Sequence, residues 1–309
     1  MANGKALKTC KKYDQPPDLP ASMKKQLALI TWSGLPEGAE SERLMLPFLE
    51  AAGVESQIID WRSPVDFNQF DLLVLRSCWD YHLRAAEFAE WLQRVAREVP
   101  VLNSLTTVLW NQNKFYLQEL ESQGIEIAPT IFVTGTEGVG SRERLQVKNW
   151  PKIVVKPAVS ASAHKTCLMD SVALPTDAEL ARQMSGGPFL IQQFIPEIQT
   201  HGEISFIYID GRYSHAVLKR PSAGDFRVQQ EHGGSAETFL PSSALLDQSN
   251  QIAAAVQHVR KSLYCRIDAV ARNGKLVLME LELIEPELFL GLVEGAAERF
   301  ADAIVRRMS

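Results

Sequence analysis

Residues 275–286 read KLVLMELELIEP. Glu280 and Glu282 stand two apart in a run that is otherwise apolar, so in a strand both point to one face. Just upstream, YCRIDAV (264–270) forms a second strand, and Asn273-Gly274 between the two is a tight-turn pair. The hairpin brings Asp268 within reach of the same face. Three acids beside a buried hydrophobic run repel one another. A divalent cation removes that cost, and an all-oxygen donor set suits Mg²⁺. The same spacing also fits the exposed polar face of an edge strand.

Working outward from this hairpin, EISFIYIDGRYSHAVLKRP (203–221) forms another, with Asp210-Gly211 at its turn. A helix is expected across 248–263 and a final one across 290–308. APTIFV (128–133), PKIVVKP (151–157) and FLIQQFI (189–195) read as strands. NQNKFYLQELESQG (111–124) and SRERLQ (141–146) read as helices. In LPTDAELARQM (174–184), Thr176 and Glu179 form a capping box. Nearer the start, the strands LALITW (27–32), VESQIIDW (54–61) and DLLVLRS (71–77) alternate with helices, one at 40–52 and one carrying Phe88, Trp91, Leu92 and Val95. That alternation predicts a parallel α/β sheet. The expected organisation is a mobile tail (1–22), an α/β domain (23–102), a central subdomain (103–190) and a C-terminal subdomain (191–309). The class is α/β, passing to α+β in the C-terminal part.

Composition narrows the function. The 309 residues carry a formal charge of −5 and a pI near 5.8, which disfavours a protein built to grip nucleic acid. No run approaches the roughly 18 apolar residues of a membrane helix. Cys10, Cys78, Cys167 and Cys265 are scattered, with no metal or redox spacing, and fit a cytoplasmic protein.

Basic residues supply the other half of the chemistry. Lys156 ends a strand and enters the small-residue loop AVSASAHK (158–165), whose backbone N–H groups could approach an anion. Downstream, Lys219, Arg220 and Arg227 surround a turn rich in Pro and Gly. Guanidinium forks there would pair with phosphate oxygens. Taken singly, each also fits a solvated loop.

Their order is specific. Lys114, Lys156 with its loop, IQQFIPE (191–197), Glu203, Arg227, Asp268 and MELELIEP (279–286) follow one another as in the ATP-grasp ligases. The resemblance covers residues 100–300 and lies with the glutathione synthetase branch. RSCWDYH (76–82), WNQNKF (110–115), KPAVSASAHKT (156–166) and HAVLKRPSAGDFRVQQEHGG (215–234) are most similar to cyclo-ligases that close O-ureido-serine to cycloserine. The resemblance implies an ATP-grasp fold preceded by the parallel α/β domain. It implies that Lys114 and Lys156 contact ATP and that the loop with Ser160, Ser162 and Lys165 folds over the phosphates. Gln193 would meet the adenine amine, with the Phe194 and Ile195 backbone on the ring, and Glu203 would hold the ribose. Arg227, assisted by Arg220, would stabilise the transferring phosphoryl group. Asp268, Glu280 and Glu282 would bind Mg²⁺, two ions by expectation, with Mn²⁺ as an alternative. Relatives often carry E-x-N at the last metal site, where this chain has E-x-E, and glycine where its loop has serine and alanine.

The implied reaction activates a carboxylate as an acyl phosphate, which an amine-type nucleophile attacks within or between molecules. A small-molecule kinase and an inactive nucleotide-binding protein are the alternatives. The partner is a small, amino-acid-like carboxylate, with no nucleic acid or membrane, and a homodimer is left open. Ligands of α/β sheets gather at the C-terminal ends of parallel strands. The stretch therefore fits two readings equally: Arg76 pairing with the substrate carboxylate and Asp80 with its ammonium group, beside Trp79, Tyr81 and His82, or a structural loop around a packed Trp79.

Overall fold

The computed structural model describes residues 24–134 and 140–309, so the expected tail at 1–22 lies outside the described residues. Strands β1 (Lys25–Thr31), β2 (Val54–Asp60), β3 (Leu72–Leu75) and β4 (Val101–Leu102) form a parallel sheet in the order β2-β1-β3-β4. Leu27 to Ile30 are fully buried, because helices cover both faces of the sheet. One cover is α1 (Glu40–Ala51); its Glu42 carboxylate accepts from the Ala39 N–H. The other is α2 (Ala85–Val95), which buries Phe88, Trp91, Leu92 and Val95 along one stripe.

The segment expected as one helix from 111 to 124 is two, α3 (Leu105–Gln112) and α4 (Tyr116–Ser122). Asn113 breaks them with an extended backbone, and its side chain accepts from the Phe115 N–H at 3.0 Å. A second sheet follows: β5 (Thr130–Val133), β6 (Lys152–Pro157), β7 (Cys167–Asp170) and β8 (Phe189–Gln193), ordered β5-β8-β6-β7 and antiparallel. Its helices are α5 (Ser141–Lys148) and α6 (Asp177–Gln183), the latter starting at the Thr176–Glu179 capping box. Because β8 belongs to this sheet, the boundary expected after residue 190 cuts through a strand.

After α7 (Glu197–Thr200) the third sheet begins. It holds β9 (Glu203–Ile209), β10 (Arg212–Arg220), β11 (Ser235–Phe239), β12 (Tyr264–Arg272) and β13 (Lys275–Glu282), antiparallel in the order β11-β10-β9-β12-β13. Both expected hairpins form, with Asp210, Gly211, Asn273 and Gly274 all at positive φ. The helix expected from 248 starts five residues earlier: α8 (Ser243–Ala255) is capped by the Ser242 hydroxyl, and α9 (Gln257–Lys261) follows a break at Val256. The last helix, α10 (Ala296–Met308), starts six residues later than expected, because Gly295 before it has φ +70°. It packs against α1 and joins the first and third sheets through a shared core around Phe300, Ile304 and Leu288. Among the described residues no helix is long and apolar enough to cross a membrane.

Candidate active site

Between the two antiparallel sheets lies a cavity of about 250 Å³. Strands β6 and β8 supply Lys156 and Gln193 from one side, and β9, β10, β12 and β13 supply Glu203, Lys219, Arg266, Glu280 and Glu282 from the other. The register places Asp268 opposite Glu280, with a bulge at the next pair, and Arg266 opposite Glu282. Two-residue spacing thus aims Glu280 and Glu282 into one cavity. Asp268 lies beneath them, 2% exposed.

Each acid leans on a cation. Lys114 Nζ is 3.1 Å from Glu280, and Lys219 Nζ is 2.6 Å from Glu203 and 3.1 Å from Asp268. Arg266 forks onto Asp268 at 2.9–3.2 Å and also pairs with Glu282. Burial alone would raise the Asp268 carboxyl, but Arg266 and Lys219 hold it well below the usual range. For Glu280, Lys114 and Lys156 likewise outweigh burial and lower it. At Glu282 burial wins over Arg266 and pushes the carboxyl up to about 7. Burial lowers the Lys156 ammonium. The sequence reading grouped Lys219 with Arg220 and Arg227 at a phosphate-binding turn and gave Arg266 no role. For Arg266 the signal was there: it stands two residues before Asp268 on one strand.

The small-residue loop does line the cavity, through Ser160, Ala161, Ser162 and Ala163. Lys114, set in the break between α3 and α4, donates its backbone N–H to Ala158 O at 2.8 Å and its ammonium to Ser160. Ser162, Ala163 and Lys165 have φ of 48°, 54° and 53°. Side chains other than glycine pay roughly 1–2 kcal/mol for this conformation, so the loop curls in the left-handed way without the glycines. Lys165 itself points away and bonds Ser185 at 2.6 Å. At the hinge, Gln193, Phe194 and Ile195 line the cavity. The Phe194 N–H is already given to Lys152 O at 3.0 Å, which leaves Ile195 N–H without a protein acceptor among the described residues.

Arg227 faces the cavity with its fork on Asp225, at 2.7–3.2 Å. Arg220 is corrected: it is exposed, pairs with Glu237, and lies outside the cavity. The substrate expectations need larger corrections. Arg76 is 1% exposed, 3.3 Å from Glu42, and its guanidinium lies over Tyr264 and Phe300. Asp80 accepts the Trp61 indole N–H at 2.9 Å and faces Arg62 at 3.6 Å. Asp80 braces the first domain, Arg76 ties it to Tyr264, Phe300 and the Pro286 carbonyl, and neither lines the cavity. His82 sits against His164 of the loop, ring centres 5.2 Å apart, and burial lowers its imidazole to about 4. From this group Trp79 and Tyr81 reach the cavity wall, beside Glu285 and Glu287, which the sequence reading left unassigned.

The comparisons with known proteins identify the family and the fold. The family described as "Prokaryotic glutathione synthetase, ATP-grasp domain" matches residues 117–273, more than half of the chain. The chain belongs to the ATP-grasp ligases. Within the family, residues 27–103 match "D-cycloserine synthetase DcsG, N-terminal domain". The cycloserine biosynthesis protein DcsG of Streptomyces lavendulae is 31% identical over 287 residues, 85% of this chain and 93% of that protein. The crystal structure of D-cycloserine synthetase DcsG superposes with a TM-score of 0.81 at 25% identity, covering 92% of this chain and 100% of that one. D-alanine–D-alanine ligase from Bacillus anthracis, complexed with ATP, shares the fold at TM-score 0.67 and 16% identity, covering 92% and 97%. As an ATP-grasp enzyme the chain is an ADP-forming ligase that joins a carboxylate to an amine-type nucleophile. ATP and Mg²⁺ are the family's general requirement. Among the described residues no three acidic, His or Cys side chains converge on one point. Glu280, Glu282 and Asp268 stand on facing strands, each paired with a cation: Glu280 with Lys114, Glu282 with Arg266, and Asp268 with Arg266 and Lys219.

Proposed function

We propose that this ligase is a cyclo-ligase acting on an amino-acid-like carboxylate of the O-ureido-serine type. The observation that carries the reading is the match of residues 27–103, because it extends the likeness beyond the shared ATP-binding part to the domain on the substrate side.

In this reading the substrate carboxylate attacks the γ-phosphate and forms an acyl phosphate and ADP. The ureido nitrogen bonded to oxygen in the same molecule then attacks the acyl carbon, loses its proton and expels inorganic phosphate; the carbamoyl group that this nitrogen carries is removed by water as carbon dioxide and ammonia to give cycloserine. Phosphate leaves where an oxide could not. The chain's part is to position the reactants and neutralise charge. Lys114, Lys156 and the 158–163 loop hold the phosphates, and Ile195 N–H and Gln193 receive the adenine. Glu203, freed from Lys219, accepts the ribose hydroxyls. Arg227, once turned from Asp225, and Arg266 face the charge on the transferring phosphoryl oxygens. Bound Mg²⁺, held by Asp268, Glu280 and Glu282, would supply charge neutralisation at the phosphates.

O-ureido-serine labelled with ¹⁸O in its carboxylate tests the scheme. One label per turnover should appear in inorganic phosphate, and cycloserine should accumulate with ADP. Unlabelled phosphate would rule out the acyl phosphate. Labelled phosphate with only intermolecular amides would rule out cyclisation and leave the ligase chemistry standing.

A further inference from the structure

Setting aside the solvent-exposed Glu231, the acids around the cavity differ in one respect. Glu203, Glu280, Glu282 and Asp268 each have a cation, and Glu287 accepts from Ser41 and from the Phe289 N–H. Glu285 is 8% exposed, lines the cavity, and has no hydrogen-bond or ion-pair partner for its carboxylate among the described residues. Burial, then Glu282, push that carboxyl well above its ordinary range. A buried unpaired carboxylate costs folding energy, so it is a poor choice unless something else pairs with it.

Its surroundings indicate what that is. The Trp79 indole donates to Glu285 O at 3.0 Å, and Tyr81 lies on the same wall. One carboxylate on a wall shared with two aromatic side chains suits a monovalent ammonium better than a metal, which needs several hard oxygens. Three residues of chain, at most about 10 Å of backbone, separate Glu285 from Glu282, so an amino acid with its carboxylate at the phosphoryl-transfer end can reach it. The geometry points to Glu285 as the acceptor of the substrate's α-ammonium group, and so as the residue that selects amino acids over hydroxy acids. The idea rests on the ligase reading for the substrate's orientation. It also replaces Asp80, whose carboxylate is already engaged.

The test measures binding without turnover. Wild type and Glu285→Gln, both loaded with Mg²⁺ and a non-hydrolysable ATP analogue, are titrated with O-ureido-serine, serine and glycerate, in which a hydroxyl replaces the ammonium. Wild type should prefer the two amino acids over glycerate. Glu285→Gln should lose about 10²-fold on both amino acids with glycerate and nucleotide affinities unchanged. Its melting temperature should be unchanged or higher, because the buried carboxylate is gone. Equal amino-acid affinity in the two proteins, or a wild type that does not distinguish serine from glycerate, would overturn the assignment. So would a variant that needs more Mg²⁺ to bind nucleotide, since that would make Glu285 a metal ligand. Preferential amino-acid binding in this titration, with no ADP formed when ATP replaces the analogue, would overturn the cyclo-ligase reading instead and leave the ammonium site in place.

Discussion

The loop after β3 and the hairpin β12–β13 both present charged residues at strand ends, yet they use them in opposite ways. The hairpin sends Arg266, Glu280 and Glu282 to the cavity. The loop turns Arg76 and Asp80 inward, where they pair with Glu42 and with Trp61 and Arg62. In a strand, side-chain direction follows from parity, and the antiparallel register then fixes which residues face each other. A loop residue has no such period. Arg76 follows the last residue of β3 and could have gone either way; burying Tyr264, Phe300 and Glu42 beside it decided the matter.

The contrast breaks first if a hairpin acid proves dispensable. Glu280→Gln keeps the shape and removes the charge that balances Lys114 and Lys156. If Glu280 holds Mg²⁺ as proposed, turnover should fall by about 10³-fold or more, with the circular dichroism spectrum unchanged, because losing that ligand forfeits several kcal/mol of charge stabilisation. Activity within threefold of wild type at millimolar Mg²⁺ would take Glu280 out of the site.

The loop gives the complementary expectation. Arg76→Met leaves Glu42 buried without its cation, and breaking such a pair costs about 3–5 kcal/mol. Glu42 is already raised by burial, so part of that cost is relieved by protonation. The melting temperature should drop by roughly 5–10 °C, while kcat/KM of the folded enzyme stays within several-fold, measured well below the transition. A large loss of activity without a thermal shift would return Arg76 to the substrate.

These two regions also show what could be read in advance. Strand alternation, the Asp-Gly and Asn-Gly turns and the Thr176 capping box are local signals, and the hairpins and first sheet follow them. The breaks at Asn113 and Val256 and the late start of α10 depend on tertiary contacts or on one glycine, and periodicity does not register them. The strands β7 (CLMD) and β11 (SAETF) are edge strands of four and five residues with none fully buried, too short and too little covered to show a period. In the site, the acids were legible because they share a strand face. Lys219 was not, because Lys219-Arg220 offers two adjacent cations and only the strand's phase chooses between them.

That choice yields the smallest expected effect. On β10, Lys219 pairs across to Glu203 on β9 and is 6% exposed, whereas Arg220 faces the other side and meets Glu237 on β11 in the open. Adjacent residues of a strand cannot share a face, so if Lys219 serves the cavity, Arg220 does not. Arg220→Ala removes one solvent-exposed ion pair, an interaction that water and salt screen. Its kcat, KM for ATP and melting temperature should match wild type, within about twofold for the kinetic constants. Lys219→Ala, one residue away, should instead strip Glu203 and Asp268 of their shared cation and lower kcat sharply. A tenfold fall in kcat for Arg220→Ala would mean that the turn after β10 swings during the reaction and carries Arg220 to the phosphoryl group. The strand's phase in the resting structure would then no longer predict which residues act.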